Sequence, residues 1–138
     1  MKAYTDLPQS KKLAEILPLE SADMYWKNGV SDKYIQCFTP FVCGDSQNGI
    51  DFDYDIPCWS LAALIDVLPT DYIEHKHYFL EISKMGDNAK PYEVRYFRFR
   101  EDWEGANFGR ITRISCTSNN LIDACYKMIL KLHEIKML

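Results

Sequence analysis

The segment DIPCWSLAALIDVLP, residues 55–69, decides the fold that this sequence predicts. Pro57 fits the first turn of a helix, where a missing N–H costs nothing, and Pro69 cannot continue a helix. The segment therefore predicts a helix of about three turns. A helix that is apolar nearly all round must be covered nearly all round, either by the core or by a partner. The apolar residues that cover most of its circumference are Trp59, Leu61, Ala62, Ala63, Leu64, Ile65, Val67 and Leu68.

Length and composition predict a single domain over residues 1–138. A chain of 138 residues buries roughly two-thirds of the surface that its unfolded form exposes, so it needs neither a disulfide nor a metal to fold. Hydrophobic residues make up 47% of the chain, which argues against disorder. The longest apolar stretch is well short of the ~20 residues of a membrane span, and the N-terminus lacks the apolar core of a signal peptide. We therefore expect a cytoplasmic protein without a membrane partner.

Capping signals and periodicity predict two further helices. Asp6 and Gln9 have the spacing of a capping box and predict a short N-terminal helix that ends at Pro18. A long C-terminal helix opens at one of the three polar residues 118–120, any of which can cap it. Its apolar residues step by four and three along one face, which is expected to pack on the core, and they are Leu121, Cys125, Met128, Leu132 and Ile135.

Alternating apolar residues predict a three-stranded antiparallel meander. Residues 77–84 and 92–100 form a hairpin, and residues 110–117 form the third strand. The apolar residues change sides after Tyr96, which indicates either a bulge there or a sheet that is covered on both faces. Residues 33–38 and the acidic segment IDFDYD, residues 50–55, are further candidate strands.

Together these elements predict an α+β fold. In it, the three-stranded meander is packed by the central apolar helix and by the long C-terminal helix, because a sheet of this size buries one face beneath two helices. The short N-terminal helix, or a second copy of the chain, covers the apolar surface that remains.

Charged residues are segregated along the chain. Residues 34–75 contain seven acids and no Lys or Arg, whereas all five arginines lie between residues 95 and 113. Such segregation suits contacts within one molecule, between two copies or with other partners. Together with the apolar helix, it predicts a non-enzymatic accessory protein that binds another protein, or itself as a homodimer. The candidate interaction residues are Trp59, Arg95, Arg98, Arg100, Trp103, Arg110 and Arg113.

A nucleic-acid-binding module is the alternative hypothesis. The hairpin region, residues 95–113, interleaves arginines with aromatic residues, and arginine holds phosphates while aromatic rings stack on bases. The α-β-β-β-α order also resembles, in topology alone, the double-stranded-RNA-binding domain. The last helix of this chain begins SNNLIDACYK, however, with Asp123 where positive charge would favour RNA. The net charge of -4 also opposes binding to phosphates.

Catalytic and metal sites have weaker support in the sequence. Cys58 is a remote candidate for the nucleophile of a thiol enzyme, because the helix dipole lowers the pKa of a thiol in the first turn. The octapeptide PCWSLAAL resembles the helix start of papain-like cysteine proteases, but the preceding glycines are missing. Asp51, Asp53 and Asp55 resemble the start of an EF-hand loop that lacks its glycine and its final glutamate. We therefore expect no catalytic residue, no cofactor and no metal, and we expect the cysteines to be free thiols.

Three segments resemble a group of small uncharacterised proteins found in prophages and mobile elements of gut bacteria. They are YTDLPQSKKLAEILPLESADMYW near the start, DIPCWSLAALIDVLP in the middle and NNLIDACYKMILKLHE at the end. The group has no established activity, so it implies no functional residues. What the resemblance implies is a bacterial, cytoplasmic, prophage-associated accessory protein.

Overall fold

The computed structural model describes residues 2–27, 40–42, 55–70, 72–73, 76–85, 89–99 and 109–138. These residues form three α-helices and eight β-strands, so the predicted α+β class is confirmed. The chain divides into two compact units, Lys2–Val67 and Leu68–Leu138. Each unit contains a three-stranded antiparallel sheet, whereas the sequence predicted one such sheet in the whole chain.

The first unit, Lys2–Val67, begins with helix α1, Leu7–Ala14. Both halves of its predicted capping box form, because the Asp6 side chain accepts from the Gln9 N–H and the Gln9 side chain accepts from the Asp6 N–H. The rest of the unit consists of a 3₁₀ turn (Leu19–Ser21), strands β1 (Met24–Trp26), β2 (Phe41–Val42) and β3 (Ile56–Cys58), and helix α2 (Leu61–Val67). The strands lie in the order β2-β1-β3.

Residues 55–69 contain a strand and a short helix, and not the three-turn helix that their prolines suggest. Pro57 lies in β3 opposite Tyr25. Because β3 is an edge of its sheet, a residue without an N–H is tolerated there. The helix begins only at Leu61, since Ser60 caps it by accepting from the Ala63 N–H at 3.3 Å.

Helix α2 is covered on one side only. Ala63 and Leu64 are buried, whereas Ala62 and Asp66 are exposed to solvent. Within one chain the helix is therefore not covered all round, and cover of its exposed side by a partner stays a prediction. Trp59, the largest apolar residue of the segment, precedes this helix and is fully buried.

The second unit, Leu68–Leu138, is a meander with a long helix packed on it. Two short strands, β4 (Tyr72–Ile73) and β5 (Lys76–His77), pair with each other. The meander follows in chain order as β6 (Phe79–Lys84), β7 (Tyr92–Phe99) and β8 (Arg110–Ser118), all antiparallel. Helix α3 (Leu121–Glu134) contacts β7 and β8. The predicted hairpin, third strand and C-terminal helix are confirmed.

Helix α3 buries a broader stripe than its sequence pattern predicted. Asn120 is the N-cap, and its side chain accepts from the Asp123 N–H at 2.8 Å. The predicted Leu121 is only half-buried and the predicted Ile135 is exposed. The buried residues of the helix are Ile122, Ala124, Cys125, Met128, Ile129 and Leu132, and those of the facing strands are Val94, Tyr96, Ile114 and Cys116.

Some predicted features lie outside the described residues. They are the candidate strand of residues 33–38, residues 50–54 of the acidic segment, Arg100 and Trp103. Among the helices that are described, none has the length and hydropathy needed to cross a membrane.

The buried stripe predicts different effects for two isoleucines near the end of α3. Ile129→Ala removes a fully buried side chain, so we expect the free energy of unfolding to fall by about 2–5 kcal/mol. Ile135→Ala, at the exposed cap of the same helix, should lower it by less than about 1 kcal/mol. Urea titration followed by circular dichroism measures both values. Equal losses in the two variants would contradict the packing.

Candidate protein-interaction surface

A β-bulge in strand β8 decides which side chains reach each face of the meander. Tyr96 pairs with Ile114, but the next residue of β7, Phe97, pairs with Thr112. Arg113 is therefore an extra residue in β8, and it reverses the alternation of side chains along that strand. A register shift does lie next to Tyr96, where the sequence indicated a bulge, but the extra residue is in β8. Strand β7 alternates without a break, and its apolar residues change sides because Phe97 and Phe99 lie on the face opposite to Val94 and Tyr96.

The reversal places Arg110 on the face opposite to the core. Because of the bulge, Arg110 pairs with Phe99 and Ile111 with Arg98. Without the extra residue, Arg110 would share the side of the buried Ile114 and would point towards the core. We use the name outer face for the side of the meander opposite to Val94, Tyr96, Ile114 and Cys116. Its larger side chains are Phe79, Glu81, Glu93, Arg95, Phe97, Phe99 and Arg110.

Three phenylalanines form a cluster on the outer face. Phe79 and Phe97 are neighbours across β6 and β7, and their rings stack with centroids 5.6 Å apart. Phe99 meets each of these rings edge to face, at 5.6 Å in both cases. Phe97 is only 6% exposed, whereas Phe79 is 40% and Phe99 is 53% exposed. The cluster therefore presents apolar rings to solvent, as interaction surfaces do.

Two arginines lie over these rings and share one carboxylate. The guanidinium carbon of Arg110 is 4.7 Å from the Phe97 centroid, and that of Arg95 is 5.5 Å from it. Glu81 accepts from Arg95 at 2.7 Å through one oxygen and from Arg110 at 3.0 Å through the other. Glu93 adds a second carboxylate, 3.9 Å from Arg95. The outer face thus carries two positive and two negative charges in contact.

The other described arginines of the predicted set lie elsewhere in the same unit. Arg98 is half-buried on the side of β7 opposite to the outer face. Arg113, the bulge residue, lines an open groove between β8 and the end of α3. The structure therefore brings Arg95 and Arg110 together and separates Arg98 and Arg113 from them.

Trp59 is held in the core of the first unit and is fully buried. Its indole N–H donates to Ser21 Oγ at 3.0 Å. Its backbone N–H donates to Thr5 Oγ1 at 3.2 Å, and its carbonyl accepts from the Thr5 N–H at 3.0 Å. These bonds satisfy the polar atoms of a buried tryptophan. Its large apolar surface thus serves the fold of this unit.

Sequence reasoning missed the phenylalanine cluster and Glu81. The alternation of residues 77–84 puts Tyr78, Leu80 and Ile82 on one side, which leaves Phe79 and Glu81 on the other. Phe97 and Phe99 likewise lie on the side of β7 opposite to the buried Val94 and Tyr96. This shared parity is the signal in the sequence that indicates one aromatic cluster opposite to the core.

The surroundings of Cys58 oppose the thiol-enzyme alternative. Cys58 lies in β3, not in the first turn of a helix, and it is fully buried. Burial raises the pKa of its thiol, although hydrogen bonds with Thr5 and Ser10 act in the opposite direction. Burial also raises the pKa of Cys116, and it raises that of Cys125 to about 12. These thiols stay protonated at neutral pH and are poor nucleophiles.

Neither a metal centre nor a known relative supplies a function. Within the described ranges, His, Cys, Asp and Glu side chains form no group of three or more that could hold a metal ion. Comparison with protein-family models, with curated proteins and with solved structures found no match to this chain.

The buried thiols predict slow chemical modification of the native protein. In a variant with Cys37 and Cys43 replaced by serine, only the buried Cys58, Cys116 and Cys125 remain. We expect these to react with Ellman's reagent at least about 100-fold more slowly than in urea, because they are inaccessible and protonated. Stopped-flow absorbance measures the rates. A fast phase in the native protein that is absent from the Cys58→Ser variant would support the thiol-enzyme hypothesis.

Proposed function

We propose that the protein is a non-enzymatic interaction protein that associates with a second copy of itself through the outer face. The observation that carries the proposal is the partly exposed phenylalanine cluster, which is surrounded by two arginines and two glutamates. A cytoplasmic location and an origin in bacterial mobile elements remain predictions from the sequence, and self-association does not depend on them.

The exposed rings supply the driving force for association. Burial of apolar surface stabilises by roughly 25 cal/mol per Å², and aromatic anchors dominate the energy of most interfaces. Phe79 and Phe99 both pack against the nearly buried Phe97, and this contact restricts their rings before any partner arrives. Ordering side chains in advance reduces the entropy lost on binding.

The charges of the outer face suit a copy of the same surface. In a two-fold interface the same patch occurs on both sides, so a patch with a large net charge would repel itself. Here Arg95 and Arg110 are balanced by Glu81 and Glu93. Two such faces can exchange arginine–glutamate contacts across an aromatic centre without accumulating charge of one sign.

The same contacts make nucleic acid a less suitable partner. Arg95 and Arg110 are engaged by Glu81 and by phenylalanine rings, so a phosphate would have to displace existing interactions. The exposed rings of Phe79 and Phe99 are still able to stack on bases. Nucleic-acid binding is therefore kept as an outcome of the experiment.

Sedimentation equilibrium tests the proposal between ~1 and ~100 μM protein. The wild type should show a concentration-dependent dimer. Phe99→Ser should weaken dimerisation about 30-fold, ~2 kcal/mol, because it removes an aromatic anchor. Phe41→Ser is the matched control, since Phe41 is also exposed but belongs to the first unit, and it should leave dimerisation unchanged.

A charge variant separates the aromatic contribution from the electrostatic one. Glu81→Lys changes the outer face from neutral to positive, so it should weaken dimerisation at low salt and be partly restored at high salt. A wild type that is monomeric at every concentration would refute self-association. If that monomer binds a labelled RNA duplex at low salt, and Arg110→Glu removes the binding, the nucleic-acid hypothesis takes its place.

A further inference from the structure

The ion pair between Glu81 and Arg110 lies at the middle of the phenylalanine cluster. The guanidinium carbon of Arg110 is 4.7 Å from the centre of the Phe97 ring, and Arg110 Nη1 donates to Glu81 at 3.0 Å. Phe97 in turn contacts both of the exposed rings, Phe79 and Phe99. A second copy that covers this cluster therefore also covers the ion pair.

Both members of this pair have capacity for further contacts. Within the described ranges, one oxygen of Glu81 accepts from Arg95 and the other accepts from Arg110, and each carboxylate oxygen has a second lone pair. The guanidinium of Arg110 has several N–H groups besides the one that binds Glu81. The side chain of Arg110 is 47% exposed and that of Glu81 is 30% exposed. Both can therefore bind a partner without giving up their present contact.

Two-fold symmetry limits how two such ion pairs can meet. In a two-fold interface every contact between different residues occurs twice, once in each direction. If Glu81 of one copy faces Arg110 of the other, four charges of alternating sign surround the axis. If each group instead faces its own equivalent, carboxylate lies against carboxylate and guanidinium against guanidinium. Like charges in contact repel strongly, so the alternating arrangement is the favourable one.

We propose that Glu81 and Arg110 determine the specificity of the dimer, because each Glu81 carboxylate binds Arg110 of its own chain and Arg110 of the partner copy. This inference rests on the proposed self-association and adds the polar contact that orients the two copies. Every charge of the two pairs then has opposite charges beside it, so covering the pairs leaves no ion unpaired. The contact selects and orients the partner, while the aromatic rings supply most of the affinity.

Mixing two charge-reversed variants tests this contact between chains. Glu81→Lys alone sets the new lysine against Arg110 of the partner copy, and Arg110→Glu alone sets the new glutamate against Glu81. Each variant should therefore dimerise about tenfold or more weakly than the wild type at low salt. In a mixture of the two, both contacts become attractive, and the heterodimer should form within about threefold of the wild-type affinity. Sedimentation velocity of fluorescently labelled Glu81→Lys, titrated with unlabelled Arg110→Glu, measures this affinity.

Glu93→Lys is the matched control, because it makes the same change of charge on the same face but lies outside the ion pair. Mixed with Arg110→Glu, it still leaves Glu81 against a second carboxylate, so association should be at least about fivefold weaker than with Glu81→Lys. Rescue between chains cannot come from repair of a contact within one chain, and circular dichroism checks that each variant is folded.

The outcomes separate this inference from the proposal on which it rests. Equal rescue by Glu93→Lys and Glu81→Lys would show that net charge alone matters, and it would overturn the specificity contact. A wild type that dimerises while the mixture shows no rescue would also overturn it, and self-association would stand. A wild type that stays monomeric would overturn both.

Discussion

One extra residue in strand β8, Arg113, is the constraint on which the outer face depends. Side chains alternate strictly along a strand, so Thr112 and Ile114 would point to the same side of a regular strand. They point to opposite sides because Arg113 is inserted between them. In an unbroken ladder, the charge of Arg110 would point towards the core, where an unpaired ion is very costly. With the bulge, Ile111 takes the inner side and Arg110 joins Phe97 and Phe99.

The resulting polar contacts span the whole meander. Glu81 of β6 binds Arg95 of β7 and Arg110 of β8, so that one carboxylate links all three strands. These groups are partly exposed, and pairs of this kind contribute little to stability. Their main effect is positional, since both guanidinium groups are held over Phe97 and neutralised there. The face is therefore apolar at its centre without being strongly charged around it.

Local patterns predicted much of the fold, and long-range pairing explains what they missed. The capping box at Asp6 and the periodicity of α3 depend on residues within one or two turns, so they are visible in the sequence. The sheet of the first unit pairs Tyr25 with both Phe41 and Pro57 through strands of two or three residues. Strands that short leave no periodic signal, and a proline marks an edge strand as readily as a helix start.

The candidate surface was only partly predictable for a related reason. Composition singled out Arg95 and Arg110, and both lie on the outer face. It also singled out Trp59, because the sequence pattern places it in a helix, whereas Ser60 caps that helix and Leu61 is its first residue. Deciding which arginines share a face requires knowing which strand carries the bulge. The change of apolar parity lies in β7, which alternates without a break, whereas the bulge is in β8, so the pattern of β7 does not reveal it.

Strand β7 alternates between two roles along its length. Its even-numbered residues Val94 and Tyr96 are buried, while its odd-numbered residues Arg95, Phe97 and Phe99 form the outer face. Substitutions at Phe99, the most exposed of these odd positions, can therefore diversify what the sheet recognises without disturbing the residues that fold it. This separation makes β7 a suitable scaffold for evolving or grafting new binding specificities.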